Sequence, residues 1–289
     1  MKVQWYPGHM TKAMRMMQEN IKLIDLVIEV LDARAPLSSR NPDIDSLAKN
    51  RARLLILNKA DLADKETTAA FKAAFEKRGF TVLSLDARKS GTVKALQASI
   101  EKACEKKILQ NQKKGILNRP LRAMVTGIPN VGKSTLINTL AGKASAKTGN
   151  KPGVTKGKQW IRLNAQVELL DTPGVLWPKF EDERVGERLA LLGTINDDII
   201  DRRELALSLL RVLLSGNPQI LSERYGIMTD GTDLSDEKAL YEILCEIARK
   251  RGALLKGGEL DPDKAASALL DDFRAGRLGA LTLDAPEEL

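Results

Sequence analysis

The chain has 289 residues, 43% apolar and 29% charged, with a net charge of +8 at neutral pH. That length supports one large or two smaller packed domains, and that composition excludes disorder on the scale of a domain. The two cysteines, Cys104 and Cys245, fit no metal or redox spacing, no run is long enough to span a membrane, and the first residues lack the apolar core of a signal peptide, so a cytoplasmic protein is expected, with no membrane partner.

Residues 1–185 hold 33 Lys+Arg against 18 Asp+Glu, whereas residues 186–289 hold 13 against 20. A basic excess of this size suits a polyanion, nucleic acid being the commonest, although a solvated basic surface has the same composition.

In chain order, Met14, Met17, Ile21 and Ile24 recur at helical spacing and predict a helix over Met10–Leu23. The apolar run Leu26–Leu31 predicts a buried parallel strand ending in Asp32-Ala-Arg34-Ala-Pro36. A short helix over Ile44–Lys49 leads to a second strand, Arg53–Leu57, which runs into Asn58-Lys59-Ala60-Asp61. An ionised Asp61 can accept both guanine N1–H and N2–H₂, a donor pair that adenine lacks. Asn58 would tie this loop to a phosphate loop, and the Lys59 stem would cover the base. By itself the tetrapeptide is equally a strand-to-helix turn.

A helix over Lys65–Arg78 and a strand over Phe80–Leu85 precede Asp86-Ala87-Arg88, 28 positions after Asn58 at its start. Guanine-nucleotide proteins carry a Ser-Ala turn at this distance. Asp86 stands where serine is usual, so the contact to guanine O6 is assigned to the Ala87 backbone. A helix over Thr92–Lys107 and a polar linker over Lys106–Arg119 follow.

Between a predicted strand, Leu121–Thr126, and a predicted helix, Thr135–Leu140, lies Gly127-Ile-Pro-Asn130-Val131-Gly132-Lys133-Ser134, a phosphate-binding P-loop in the context the motif requires. Asn130, Val131, Gly132 and Thr135 would contribute to the cradle, Lys133 would reach the β- and γ-phosphates, and Ser134 would bind Mg²⁺. Alone it does not separate ATP from GTP. Thr155, 22 positions after Lys133, stands where a switch threonine completes the Mg²⁺ shell. Two strands, Lys158–Leu163 and Gln166–Leu170, lead to Asp171-Thr-Pro-Gly174. Asp171 would hold Mg²⁺ through a water and the Gly174 N–H would meet the γ-phosphate.

Together these motifs define a Ras-like GTPase, but with the guanine loop ahead of the P-loop. Such an order follows if an ordinary chain is cut after Asp-Thr-Pro-Gly and its old ends are joined through the Lys106–Arg119 linker, a rearrangement tolerated because native termini lie close together. Pro7-Gly8-His9 and the first helix then stand in for switch II. The expected fold is α/β: a circularly permuted Ras-like P-loop GTPase domain over residues 1–182 and an all-helical C-terminal domain over 183–289. In the latter, helices are predicted at Arg184–Leu192, Arg202–Leu214, Asp236–Arg251 and Asp263–Ala275, with Leu205, Leu209, Val212 and Leu213 on one packed face.

With Trp5-Tyr6-Pro7-Gly8-His9-Met10, Leu31-Asp-Ala-Arg34-Ala-Pro-Leu-Ser-Ser-Arg40-Asn41-Pro42 and the permuted order, the sequence resembles the YlqF/RbgA family of ribosome biogenesis GTPases over nearly its whole length. The resemblance implies GTP-driven assembly of the large ribosomal subunit, with rRNA and ribosomal proteins of a precursor particle as partners and hydrolysis stimulated by that particle. Away from the ribosome a monomer is expected. Val175 occupies the place of the water-orienting glutamine, so the resemblance and the permutation together point to His9 as the catalytic group. Asn130 resembles the asparagine that coordinates K⁺ in cation-dependent relatives, making K⁺ a second expected cofactor beside Mg²⁺. The alternative function is a GTP-controlled RNA- or protein-binding module whose hydrolysis is incidental.

Overall fold

A six-stranded sheet in the order β3-β2-β1-β4-β6-β5 organises the first part of the chain: β1 (Leu26–Asp32), β2 (Ala52–Asn58), β3 (Thr81–Ser84), β4 (Leu121–Thr126), β5 (Gln159–Arg162) and β6 (Val167–Asp171). A computed structural model provides this description for residues 8–89, 91–116, 119–141 and 159–289. Trp5, Tyr6, Pro7 and Thr155 lie outside the described residues, as does most of the loop that carries Thr155. All neighbouring strands are parallel except the β5–β6 hairpin. Counted from β4 as the first strand, the spatial order becomes 2-3-1-4-5-6, the Ras-like order, so the permutation leaves the sheet intact.

β1 is buried along its whole length, as a central parallel strand covered on both faces must be. Its one acidic residue inside the strand, Glu29, is held by Arg53 at 3.0 Å and Arg40 at 3.6 Å, and both guanidinium groups lie over the Phe80 ring. Along β2 the faces alternate: Leu54 and Ile56 enter the main apolar cluster, Leu55 and Leu57 a smaller one with Phe71, Phe75 and Val82. Phe71 and Phe75 come from α3 (Lys65–Lys77), which starts where the Asp64 carboxylate accepts from Thr67 N.

The first helix, α1 (Gly8–Asn20), buries Met10, Ala13 and Met17, and a short 3₁₀ turn, Ile21–Leu23, leads to a fully buried Ile24. Met14 and Ile21 of the predicted stripe are only partly buried. After α2 (Asp43–Leu47), the next difference from expectation is α4 (Thr92–Lys113), which continues six residues past the predicted end. Leu96, Ile100 and Cys104 keep its inner face on the sheet, and its Lys- and Gln-rich last turns remain helical because straight-chain residues lose little freedom there. The P-loop helix is α5 (Lys133–Ala141).

Beyond the sheet come α6 (Glu183–Leu191), α7 (Arg202–Gly216), α8 (Gln219–Tyr225), α9 (Glu237–Arg251) and α10 (Pro262–Arg274). Asp182, Asp201, Asp236 and Asp261 cap α6, α7, α9 and α10, so part of the acidic balance of this region serves helix starts. In α7 the Leu205, Leu209 and Leu213 side chains are buried, but Val212 is exposed. Sequence periodicity does not reveal α8, which is only seven residues long and is bounded by Pro218 and a left-handed Gly226. The main apolar cluster runs without a break from the sheet through Leu176 and Phe180 into these helices. After α10 the chain returns to the sheet: Leu289 packs on the smaller cluster, and the buried Asp284 carboxylate accepts from Leu37 N and Ser38 N at 2.6 and 2.8 Å.

Candidate guanine-nucleotide site

The predicted site residues meet at the carboxyl ends of the parallel strands, where open α/β sheets place their ligands. Asp32 and Asn58 are register partners at the ends of β1 and β2, the P-loop follows β4, and Asp171 ends β6. Lys133 is buried, and its Nζ donates to the Gly127 and Ile128 carbonyls at 3.0 and 2.9 Å, curling the loop around its own lysine. Gly132 adopts φ +94°, and a Cβ there would come within 2.3 Å of Asn58 Nδ2. Gly174 lies directly on the loop: a Cβ there would sit 2.8 Å from Pro129 N and 3.0 Å from Lys133 Nζ. Ser134 and Thr135 open α5, half-buried.

Both carboxylate oxygens of Asp171 are buried without a hydrogen-bond partner among the described residues. Burial pushes its carboxyl up to about 6, against the pull of Lys133, and burial pushes Lys133 down to about 8, against the pull of Asp171. An unsatisfied carboxylate beside a phosphate loop and a helix-starting serine is an oxygen donor set that fits Mg²⁺, which binds through few carboxylates and completes its shell with phosphates and water. Lys133 and Asp171 would then be the cation for the phosphates and the anion for the metal.

The guanine loop is pinned to this centre. Asn58 Nδ2 donates to the Val131 carbonyl at 2.7 Å, and Asn58 Oδ1 accepts from Ala87 N at 2.9 Å. The amide assigned to guanine O6 is therefore engaged by Asn58, and the Ala87 carbonyl accepts from Thr139 Oγ1 at 2.7 Å. Lys59 has a left-handed backbone, φ 59°, and its Nζ donates to Asp32 and to the Asn130 carbonyl, both at 2.8 Å. Asn130 is also left-handed, φ 61°, and its Nδ2 donates to the Gly193 carbonyl beyond α6 at 2.6 Å.

Arg88 connects the two acids of the predicted base-binding loops: Nη2 reaches Asp61 at 2.6 Å, while Nε and Nη2 hold Asp86 at 2.8 and 3.0 Å. The Arg88 hydrogen bond, ahead of the opposing effect of burial, holds the Asp86 carboxyl below its usual range. Asp86, which stands where serine is usual, thus has a charged partner two residues away. Three further residues received no role from sequence. Asp32 and Arg34 lie under Lys59, and Asn41 Nδ2 donates to the Val175 carbonyl at 3.2 Å. The end-of-strand position of Asp32, in register with Asn58, is the signal that could have found the first.

His9 is exposed in the first turn of α1. Its neighbour Met10 is buried, and Met10 Sδ accepts from Leu176 N at 3.5 Å, two residues beyond Gly174. The start of α1 therefore abuts the segment that switch II would continue in an unpermuted chain. Val175 is buried, and its N–H donates to the Gly127 carbonyl at 3.2 Å, so its side chain presents nothing polar to a water.

Sheet order, P-loop, guanine loop and the buried Asp171 define a circularly permuted P-loop GTPase. Residues 122–219 match the family described as 50S ribosome-binding GTPase, starting in β4, where an unpermuted chain would start. Over its whole length the chain is 46% identical to the ribosome biogenesis GTPase A of Bacillus cereus, of which it covers 95%. It is also 34% identical to the mitochondrial ribosome-associated GTPase 1 of Xenopus tropicalis, covering 97% of this chain and 94% of that one. The crystal structure of GNP-bound YlqF from T. maritima superposes with a TM-score of 0.66 at 29% identity, over 96% of this chain and 99% of that one. The chain belongs to the ribosome biogenesis GTPase A family. It is accordingly a GTP hydrolase, and Mg²⁺ is the metal of such enzymes. Among the described residues no helix is long and apolar enough to cross a membrane.

Proposed function

We propose that this chain hydrolyses GTP to drive a late step of large (50S) ribosomal subunit assembly in the cytoplasm, as a monomer that binds rRNA and ribosomal protein in a precursor particle which stimulates turnover. The observation that carries the GTP half of the reading is the Asn58 bridge between Val131 and Ala87, which joins base loop and phosphate loop into one site. The ribosomal half rests on relatives whose names place them in ribosome biogenesis or in association with the ribosome. We divide the chain into a GTPase domain, 1–182, and a helical domain, 183–289.

In this reading Asp61 accepts from guanine N1–H and N2–H₂, the Asp86–Arg88 turn that Asn58 holds through Ala87 N lines the O6 edge, and Lys133 with the P-loop amides binds the phosphates. Ser134, Thr155 and Asp171 hold Mg²⁺, Asn130 supplies a ligand for K⁺, and the Gly174 N–H meets the γ-phosphate. His9 takes the water-orienting part that buried Val175 leaves open. The packing of Met10 on Leu176 supports this, because it places the start of α1 beside the Asp171–Gly174 loop.

For the helical region, rRNA contact is compatible with its acidic balance because charge is locally sorted. The buried Asp272 carboxylate draws in Arg224, Arg251 and Arg277 at 2.8, 3.3 and 2.6 Å, three guanidinium groups on one carboxylate and each partly exposed. The test is co-sedimentation of the purified protein with mature and precursor large subunits in GDP, GTP and a non-hydrolysable analogue. GTP-dependent association with large-subunit particles and accelerated hydrolysis are expected. Association without acceleration would favour a GTP-controlled binding module, and preference for the small subunit would overturn the assignment.

A further inference from the structure

Resting on the guanine reading above, we propose that Asp32 and Arg34 are positioning residues for base recognition, through which residues 273–284 set how tightly the Asn58–Asp61 loop holds a guanine. Lys59 is the strained member of that loop. A non-glycine residue at φ 59° persists only where its surroundings hold it. The holding group is Asp32, fully buried, whose oxygens accept from Arg34 N, Arg34 Nε, Arg34 Nη2 and Lys59 Nζ at 3.1, 2.9, 2.8 and 2.8 Å. Burial alone would raise its carboxyl, but Arg34 and Lys59 hold it well below the usual range, so it stays anionic at any working pH.

Arg34 carries the connection outward. It is itself buried, and its remaining nitrogen, Nη1, donates to the carbonyls of Phe273 and Arg274 at 3.4 and 3.2 Å, with the guanidinium 5.3 Å from the Phe273 ring centroid. These are carbonyls at the end of α10, where the helix dipole favours a cation. The Arg34 carbonyl in turn accepts from Leu283 N at 2.6 Å.

The same stretch also grips the chain directly after Asp61. Gly276 closes so tightly on Leu62 that a Cβ would lie 2.5 Å from Leu62 Cδ2. Leu281 N donates to the Leu62 carbonyl at 3.0 Å, and Asp64 N donates to Thr282 Oγ1 at 3.1 Å. Residues 58–64 are therefore held both by Asp32 and by the segment that follows α10, and Arg34 bonds to each of these. A partner that draws α10 away would strand the buried guanidinium and loosen the Asp32 carboxylate that Lys59 leans on, so the base would be released faster.

The test measures release of fluorescent GDP and inosine diphosphate from the full-length protein, with thermal melting alongside. Inosine lacks the 2-amino group that Asp61 accepts from. In Arg34→Lys a cation remains beside Asp32, but the paired hydrogen bonds and the reach to α10 are lost. We expect GDP release about tenfold faster, with the preference for GDP over inosine diphosphate shrinking towards parity. Thr282→Val removes one bond far from the nucleotide at almost constant shape, and is expected to act in the same direction by about threefold, which decides the matter if Arg34→Lys fails to fold. GDP release at the wild-type rate in the folded variants overturns the proposal. So does equal acceleration for both nucleotides, the mark of general loosening. A wild-type protein that does not distinguish the two overturns the guanine reading itself.

Discussion

Asn58 Nδ2 and the Val131 carbonyl are 2.7 Å apart, a direct bond between the loop proposed to select the base and the loop proposed to hold the phosphates. Truncation of Asn58 to alanine would leave the Val131 carbonyl and the Ala87 N–H buried without their partner, each at about 1–3 kcal/mol. Asn58→Ala is therefore expected to lower stability by about 2 kcal/mol or more and GDP affinity by at least about tenfold. Urea unfolding and a fluorescent-GDP titration read the two effects separately. Loss of neither would mean that the loops are joined by something other than this side chain.

Asp61 tests base identity. An amide in its place loses one acceptor and gains a donor, which matches the 2-oxo group of xanthine where guanine has its 2-amino group. Asp61→Asn is expected to bind xanthosine diphosphate more tightly than GDP, in competition against a fluorescent nucleotide. Unchanged preference for GDP would remove Asp61 from base recognition.

Much of this site is legible in sequence because its motifs act through backbone geometry: Gly132, Lys133 and Gly174 do the same thing wherever a P-loop sits on a sheet. The strands are legible for a similar reason, since β1 and β2 have to be apolar to lie in the middle of a covered sheet. Hidden were contacts made by residues whose partners are remote in sequence. Arg34 and Phe273, or Asn130 and Gly193, meet only once α10 and α6 fold back on the sheet, and no spacing announces that. Local signals also misled where they were weak. The polar last turns of α4 resemble a linker until tertiary support is counted, and α8 is too short to show a period.

Arg88 explains why aspartate can replace serine at position 86. The guanidinium joins Asp86 to Asp61, neutralising the extra carboxylate and fixing the one proposed to accept from guanine. Because Arg88 is largely exposed, the effect is modest. Arg88→Ala is expected to weaken GDP binding by about two- to fivefold, and Asp86→Ser in the same molecule to restore it. Tighter GDP binding by Arg88→Ala would mean that Arg88 competes with the base for Asp61.

Asp171 gives the site a pH dependence. With its carboxyl pushed up to about 6 by burial, the anion that the proposed Mg²⁺ site needs is largely present above pH 7 and lost as pH falls through about 6. The extra nucleotide affinity conferred by Mg²⁺ is therefore expected to be level above pH 7 and to fall about tenfold per pH unit below 6, whereas affinity measured in chelator stays flatter. Asp171→Asn should remove the Mg²⁺ increment at every pH. A Mg²⁺ increment unchanged down to pH 5 would show that another group holds the metal.

His9 separates binding from turnover. It is exposed one residue before Met10, which is locked to Leu176, whereas Asn58 ties the base loop to the phosphate loop and Lys133 holds the phosphate loop closed. Removing the imidazole is therefore expected to leave GDP and GTP affinity unchanged. What His9→Ala loses, if the imidazole orients or deprotonates the attacking water, is the hydrolysis stimulated by ribosomal particles, by about 10²-fold or more. The measurement is single-turnover phosphate release with and without precursor large subunits, together with a binding assay on the same particles. Stimulated rates equal to wild type would take His9 out of the chemistry. Loss of particle binding at intact intrinsic turnover would instead make it a docking residue on the exposed face of α1.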